Sequence, residues 1–297
     1  MSARLDEVAA IVLNFRTADK TSLCIQSLIE EGLKNIILID NSEDNGASLT
    51  DIQTALDSYR AGGAHITVET NGCNQGFAKG VNAGSQIART QGLSYILLMN
   101  SDAYFEKGGL IKMLELTSKY AFVQPMVKDK SSLNSLFGYY DKALALIYSG
   151  GKKNSLKYSS GCALLIDINK LPGSILDEDF FFYGEDVELA LRAKGLGLEA
   201  AECHEAHIYH EGSGSARRGS LFYEYHINRG HWLLAKKLSN TTAQKYIFYI
   251  LRIFTLSARA LVRAFRYKSL IPIQGFLMSS FDFAINRIQT LTPPAKP

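Results

Sequence analysis

The chain has no Cys-x-x-Cys pair. Its four cysteines, Cys24, Cys73, Cys162 and Cys203, are scattered, which argues against a disulfide framework or a zinc ribbon and for a reducing, cytoplasmic setting. No secretory leader is legible, because acidic Asp6 and Glu7 stand where a signal peptide carries positive charge. Long hydrophobic runs are also missing. The longest uncharged stretch of the C-terminal part, Ser269–Phe281, is 13 residues and contains Pro272, against about 20 needed to cross a bilayer. Neither Gly-x-Gly-x-x-Gly nor Gly-x-x-x-x-Gly-Lys-[Ser/Thr] occurs, which argues against a dinucleotide-dependent dehydrogenase and a P-loop NTPase.

What is present is enough apolar material, 46% of 297 residues, for one large or two modest cores. Only the Pro-rich end, Thr292–Pro297, reads as disordered. The net charge of +3 hides an asymmetry. Residues 241–297 carry eight Lys or Arg against one acid (+7), and residues 1–240 carry 24 basic against 28 acidic (−4). The charge shift predicts a main domain over 1–235 with a basic helical appendage over 236–297.

The first half alternates strand and helix patterns. Apolar runs Val8–Leu13, Ile36–Ile39, His65–Glu69 and Tyr95–Met99 alternate with helical spacing over Thr17–Glu31, Ser48–Arg60 and Phe77–Thr90. Such repeated units predict an α/β fold, with a mostly parallel central sheet flanked by helices. Asn14, Asp40, Asn71–Gly76 and Asp102 then fall at carboxyl ends of strands, the rim where open α/β sheets bind ligands. At that rim Asp102 can hold a divalent ion against a phosphate, or else Asn100-Ser-Asp102 is a turn or cap before a helix over 107–119. In the link Asn71–Gly84, Gly76, Gly80 and Gly84 line one helix face and let the backbone approach a ligand or the sheet closely.

The tail has its own pattern. Lys245, Arg252, Arg259, Arg263 and Arg266 fall within a wedge of roughly 60° on a helix, and apolar residues cover much of the remainder. A narrow basic stripe suits an anionic membrane surface, with cations at the headgroups. The alternative is a helix packed on its own domain or on a second protomer, with the arginines in water.

Read together, Asn14-Phe15, Leu38-Ile-Asp40-Asn-Ser42, Asn74-Gln-Gly-Phe-Ala-Lys-Gly-Val-Asn82 and Leu97-Leu-Met-Asn-Ser-Asp102 resemble the ordered motifs of glycosyltransferase family 2. The similarity continues through Tyr158–Asp167, Asp177–Leu189 with Arg192, and His207–Ser215, and so covers about residues 8–232. The resemblance implies a GT-A fold (the nucleotide-diphospho-sugar transferase fold) and inverting sugar transfer, with 1–235 as the catalytic domain, divided near 127/128 into nucleotide-binding and acceptor-binding halves. The donor would be a nucleotide-diphosphate sugar, a dTDP-rhamnose or a UDP-sugar, and the acceptor a glycan or lipid-linked chain in bacterial polysaccharide or O-antigen synthesis. It implies that Asp40 contacts the nucleotide, that Asp102 holds a metal-diphosphate, and that Glu185-Asp186 supplies the base. Asn14, Asn74, Gly76, Asn82 and Asn100 become donor-binding candidates, and His210 joins Asp102 at a Mg²⁺ or Mn²⁺ ion. His204 and His207 read as structural.

Chemically, the base takes the proton of the acceptor hydroxyl, and positive charge stabilises the departing diphosphate. Glu185-Asp186 opens a helical pattern that stops at Gly195, so ordinary capping is the competing account. The run Phe180–Tyr183 before it offers an apolar wall, a sugar-stacking surface, or core. Arg217, Arg218 and Arg229 are phosphate candidates on a flap, although Arg217 and Arg218 also fit a solvated pair. The stretch 128–157 is where acceptor contacts belong, unless it is a disordered connector. Two other readings remain: a sugar nucleotidyltransferase, which lacks its Gly-rich loop here, and a non-catalytic membrane-associated scaffold on the same fold.

Overall fold

The computed structural model describes residues 4–128, 132–152, 155–211, 217–288 and 291. In chain order the elements begin β1 (Val8–Asn14), α1 (Ala18–Glu30), β2 (Asn35–Asp40), α2 (Ala47–Ala61), β3 (His65–Thr70), α3 (Phe77–Thr90) and β4 (Tyr95–Asn100). Next come β5 (Ala103–Phe105), α4 (Gly109–Leu116), β6 (Phe122–Lys128), β7 (Leu133–Asn134), β8 (Phe137–Asp141), β9 (Ile147–Tyr148), β10 (Ser155–Ser159) and β11 (Ala163–Asp167). The chain continues through α5 (Glu185–Gly195), β12 (Ala200–His210), α6 (Leu221–Lys237), α7 (Thr242–Tyr267) and α8 (Ile271–Ala284).

Two compact units result. The first comprises residues 1–137, 159–176 and 192–214, the second 138–158, 177–191 and 215–297. The 235/236 boundary read from the sequence falls inside the second unit. Of the segments singled out above, Ser131, residues 153–154, residues 212–215 and the Pro-rich end 292–297 lie outside the described residues.

The first unit is built on a nine-stranded sheet in the order β3-β2-β1-β4-β11-β6-β12-β5, with β7 beside β6. β3, β2, β1 and β4 are mutually parallel, as βα repeats require. Their registers align Asn14 with Asp40 and Leu13 with Asn100, so the polar ends of these strands share one edge. β11 then enters antiparallel to both β4 and β6, which makes the sheet mixed. Val, Ile and Leu fill the central strands because they are covered on both faces. α3 packs directly on β1: a Cβ on Gly80 would stand 2.8 Å from Leu13 Cδ2, and one on Gly84 2.7 Å from Ile11 Cγ2. The glycine ladder therefore serves close approach to the sheet, one of the two uses its spacing allowed.

In the second unit β10, β8 and β9 form a small sheet, so the described part of 128–157 is ordered β-structure and not a disordered connector. Trp232 on α6 packs among Tyr249, Phe276 and Phe283 of α7 and α8. Three of the five cations of the α7 stripe turn inward, where the sequence readings placed them at headgroups or in water, while Arg266 is exposed and Lys245 partly so. Arg252 is fully buried and donates to the carbonyls of His231 and, at 2.7 Å, Lys142. Arg259 donates to His231 Nε2 at 2.9 Å, and Arg263 clamps the buried Glu224 carboxylate through Nε at 2.9 and 3.0 Å. Arg252 is buried and Arg259 and Arg263 are half-buried, and all three bond within the second unit. α6 presents acceptors along its length, and a guanidinium buried against matched acceptors is the tolerated form of a buried charge.

Candidate functional site

The rim of the first unit is a hydrogen-bonded lattice centred on Asn14. Its Nδ2 donates to Asp40 Oδ1 (2.7 Å) and Ser42 Oγ (3.0 Å), while its Oδ1 accepts from Thr21 Oγ1 at 2.9 Å. Ser42 also donates to Asp40 Oδ1 at 2.5 Å. Asn14 is wholly buried, so it orients Asp40 from behind. The loop after β3 is tied to the loop after β2: Asn74 N donates to Glu43 Oε1 (2.9 Å), Gly76 N to Asn74 Oδ1 (3.0 Å), and Asn41 Nδ2 to Gly76 O (3.2 Å). Gly76 sits at φ 85°, a conformation side chains rarely adopt, where the loop turns into α3. Asn82 bonds both backbone groups of Leu176, donating to its O and accepting from its N at 2.9 Å, and so pins a neighbouring loop. Asn100 closes β4 half-buried, and Ser101 Oγ lies 3.1 Å from Thr17 Oγ1.

Asp102 and His210, 108 positions apart, are brought together by β12 pairing antiparallel with β5, which sets His210 opposite Ala103. His210 Nε2 stands 3.3 Å from Asp102 Oδ1. The hydrogen bond to Asp102, and then the Cys162 thiol, hold His210 well above its ordinary value, at about 10, so the free site carries an imidazolium against a carboxylate. Does this pair fit a divalent ion? The Asp102 carboxylate and, once its ring has lost the extra proton, the His210 imidazole are the residues that would hold Mg²⁺ or Mn²⁺. Among the described residues no group of three or more His, Cys, Asp or Glu side chains that could hold a metal ion occurs. His207 bonds Glu106 and the His204 carbonyl, as structural histidines do, and His204 is exposed.

In the second unit the chain enters α5 through a tight turn, with Tyr183 at φ 69° and Gly184 at φ 105°. α6 presses on this turn through Gly230, where a Cβ would stand only 2.3 Å from Tyr183 O. α5 opens with Glu185, buried and with Oε2 unpartnered, and Asp186, partly exposed and accepting from Val187 N at 2.8 Å. Burial raises both carboxyls, and the Asp186 charge pushes Glu185 further. Burial and the closeness of the two carboxyls together disfavour a second charge on the pair.

Of the aromatic run, Phe180 is core, while Phe181 stacks on His226 at 4.7 Å and Phe182 meets Tyr183 and Phe222. Arg217 and Arg218 are exposed, and the Arg218 charge reaches Tyr183. Arg229 departs from the flap reading: it is buried in α6 and donates to the Asp179 carbonyl at 2.9 Å. Two residues were not singled out from the sequence. Tyr158 is raised by burial and by the Asp186 charge, and its ring occupies the space a side chain at Gly138 would fill. Ser42 completes the Asp40 lattice. A lone Tyr or Ser carries no spacing signal, and the pairing of Gly138 with Tyr158 exists only in the folded sheet.

The model of "Glycosyl transferase family 2" matches residues 10–163. No curated protein matches the sequence. Among solved structures, residues 1–349 of TarS from S. aureus superpose with a TM-score of 0.57 at 15% identity, covering 93% of this chain and 79% of that one. The mannosyltransferase PcManGT from Pyrobaculum calidifontis, in complex with GDP-Man and Mn²⁺, gives 0.55 at 13% identity, covering 94% and 80%. GalNAc-T7 with UDP, GalNAc and Mn²⁺ gives 0.55 at 14% identity over 77% of this chain, which spans about half (47%) of that one. At these identities the likeness is one of fold, and the fold is GT-A.

Proposed function

Since the chain belongs to glycosyl transferase family 2, we propose that it transfers a sugar from a nucleoside-diphosphate donor to an acceptor hydroxyl with inversion, and that Asp186 is the base. The observation that carries the reading is the carboxyl pair opening α5: one member is buried with one oxygen unpartnered, the other is partly exposed, and both are held above the ordinary range. Asp186 takes the acceptor proton as that oxygen attacks the anomeric carbon, and the sugar–phosphate bond breaks with its electron pair leaving on the nucleoside diphosphate. Since the pair disfavours a second charge, Glu185 adds none beside the base.

On the rim, Asp40, oriented by Asn14 and Ser42, binds the nucleoside, and the loop of Asn74 and Gly76 brings backbone close to the donor. A divalent cation, when bound, neutralises charge on the departing diphosphate, and Asp102 and His210 are the residues that would hold it. Two structures of similar fold were solved with UDP and Mn²⁺ and with GDP-Man and Mn²⁺, which supports a nucleotide-sugar donor and a cation.

The test is a screen of nucleotide sugars, dTDP-rhamnose and UDP-sugars included, for nucleoside-diphosphate release with added Mn²⁺ or Mg²⁺. Asp186→Asn keeps shape and removes basicity, so turnover should fall by roughly 10²–10⁴ with donor affinity retained. If Glu185→Gln does more damage, the roles are reversed. If no donor is consumed and Asp186→Asn changes nothing, the chain is a scaffold on this fold.

A further inference from the structure

α7 is amphipathic with the usual polarity reversed. Arg252, Arg259 and Arg263 point into the second unit, and every exposed residue from 246 to 265 is apolar. Ile247, Ile250, Phe254, Leu261, Val262 and Phe265 fall within a sector of about 120° along about 27 Å of helix, and Phe265 is 89% exposed. α8 adds exposed Leu270, Leu277 and Phe281. An uninterrupted apolar face of this extent marks an interaction surface.

Charge identifies the occupant. Arg266 and Lys268 are exposed at the C-terminal end of the face, and Lys245 is partly exposed at the other. Asp282 is the one acidic residue between 241 and 288, and it is fully buried. A second copy laid face to face would set cations against cations, with no exposed carboxylate in this segment to answer them. An anionic lipid surface answers both the apolar sector and its cationic ends. Among the described residues no helix is long and apolar enough to cross a membrane, so the helix would lie in the plane of the surface.

We propose that α7 docks this outward face on an anionic lipid surface, with Phe254, Leu261 and Phe265 among the acyl chains and Arg266 and Lys268 at the headgroups. Arg252, Arg259 and Arg263, which a helical wheel would also assign to the headgroups, instead fasten the helix to α6.

The test is co-sedimentation of the full chain with vesicles of equal parts phosphatidylglycerol and phosphatidylcholine, and with vesicles of phosphatidylcholine alone. Wild type should pellet with the anionic vesicles, and Phe254→Ser/Leu261→Ser/Phe265→Ser should lower the partition coefficient at least about tenfold with an unchanged circular dichroism spectrum. Phe265→Ser alone, at the most exposed position, should move in the same direction and guards against misfolding of the triple variant. Arg266→Glu/Lys268→Glu should remove the preference for anionic over neutral vesicles. Wild-type protein that stays in the supernatant, or a triple variant that pellets like wild type, overturns the proposal. So does equal wild-type binding to both vesicles. A wild-type dimer that the triple variant dissociates, with no vesicle binding by either, assigns the face to a second copy. None of these readouts depends on sugar transfer, so the proposal and the functional reading fail separately.

Discussion

Gly230→Ala is the sharpest test of how the second unit positions its carboxyl pair. The added Cβ would stand 2.3 Å from Tyr183 O and 3.2 Å from Tyr183 C. Ordinary contact lies near 3.4 Å, so the turn must retreat from α6 by roughly 1 Å, and overpacking of this kind costs about 1–3 kcal/mol. Tyr183 is already in the left-handed region, which leaves little room for the strain to relax locally. Asp186 is three residues further on. A misplacement of about 1 Å at a reacting group costs on the order of 10²-fold in rate, so kcat should fall by about that factor with donor KM nearly unchanged. The assay is steady-state nucleoside-diphosphate release in the presence of acceptor, with circular dichroism and a melting curve showing that the variant is folded. The decisive comparison is the double variant. If Gly230 acts through Asp186, adding Gly230→Ala to Asp186→Asn should cost little more, because the base is already gone. A full further 10²-fold loss in that background would refute the positioning argument.

The same pair makes a pH prediction. Both carboxyls are raised on folding, so each contributes its stability below the unfolded value, near 4, and loses it as pH rises through the folded one. The melting temperature of Glu185→Gln minus that of wild type should therefore grow as pH rises above about 4, and a pH-independent difference contradicts the burial argument. The acid limb of kcat/KM should likewise lie above the ordinary carboxylate range. Asp102→Ala should abolish donor turnover and also lower the melting temperature, because the His210 imidazolium loses its carboxylate; excess chelator should abolish wild-type turnover without moving the melting curve, and full activity in chelator removes the ion from the reading. Arg263→Ala leaves the Glu224 carboxylate buried without its clamp and should cost about 3–5 kcal/mol in urea unfolding, much of it recovered by adding Glu224→Leu. Additive losses would show that the two side chains are not coupled.

Local pattern was enough to place β1 to β4 and α1 to α3 within a residue or two, because apolar period, Gly stops and polar strand ends are all written over short distances. The same pattern put Asn14, Asp40 and Asp102 at carboxyl ends of strands and Glu185-Asp186 at a helix start, and it gave the family motifs their order. Tertiary structure decided what those residues meet. His210 reaches Asp102 because β12 runs antiparallel to β5, a register that nothing local to either segment encodes. The glycine ladder of α3 could have faced a ligand or the sheet, and the positions of Ile11 and Leu13 decided for the sheet. α7 shows the limit most clearly. A helical wheel separates a basic stripe from an apolar one but holds no information about which is covered, and the usual inference assumes that apolar goes inside. Here α6 offers a carboxylate, a carbonyl and a ring nitrogen in line with Arg263, Arg252 and Arg259, so the charged stripe finds partners in the interior and the apolar one is left outside.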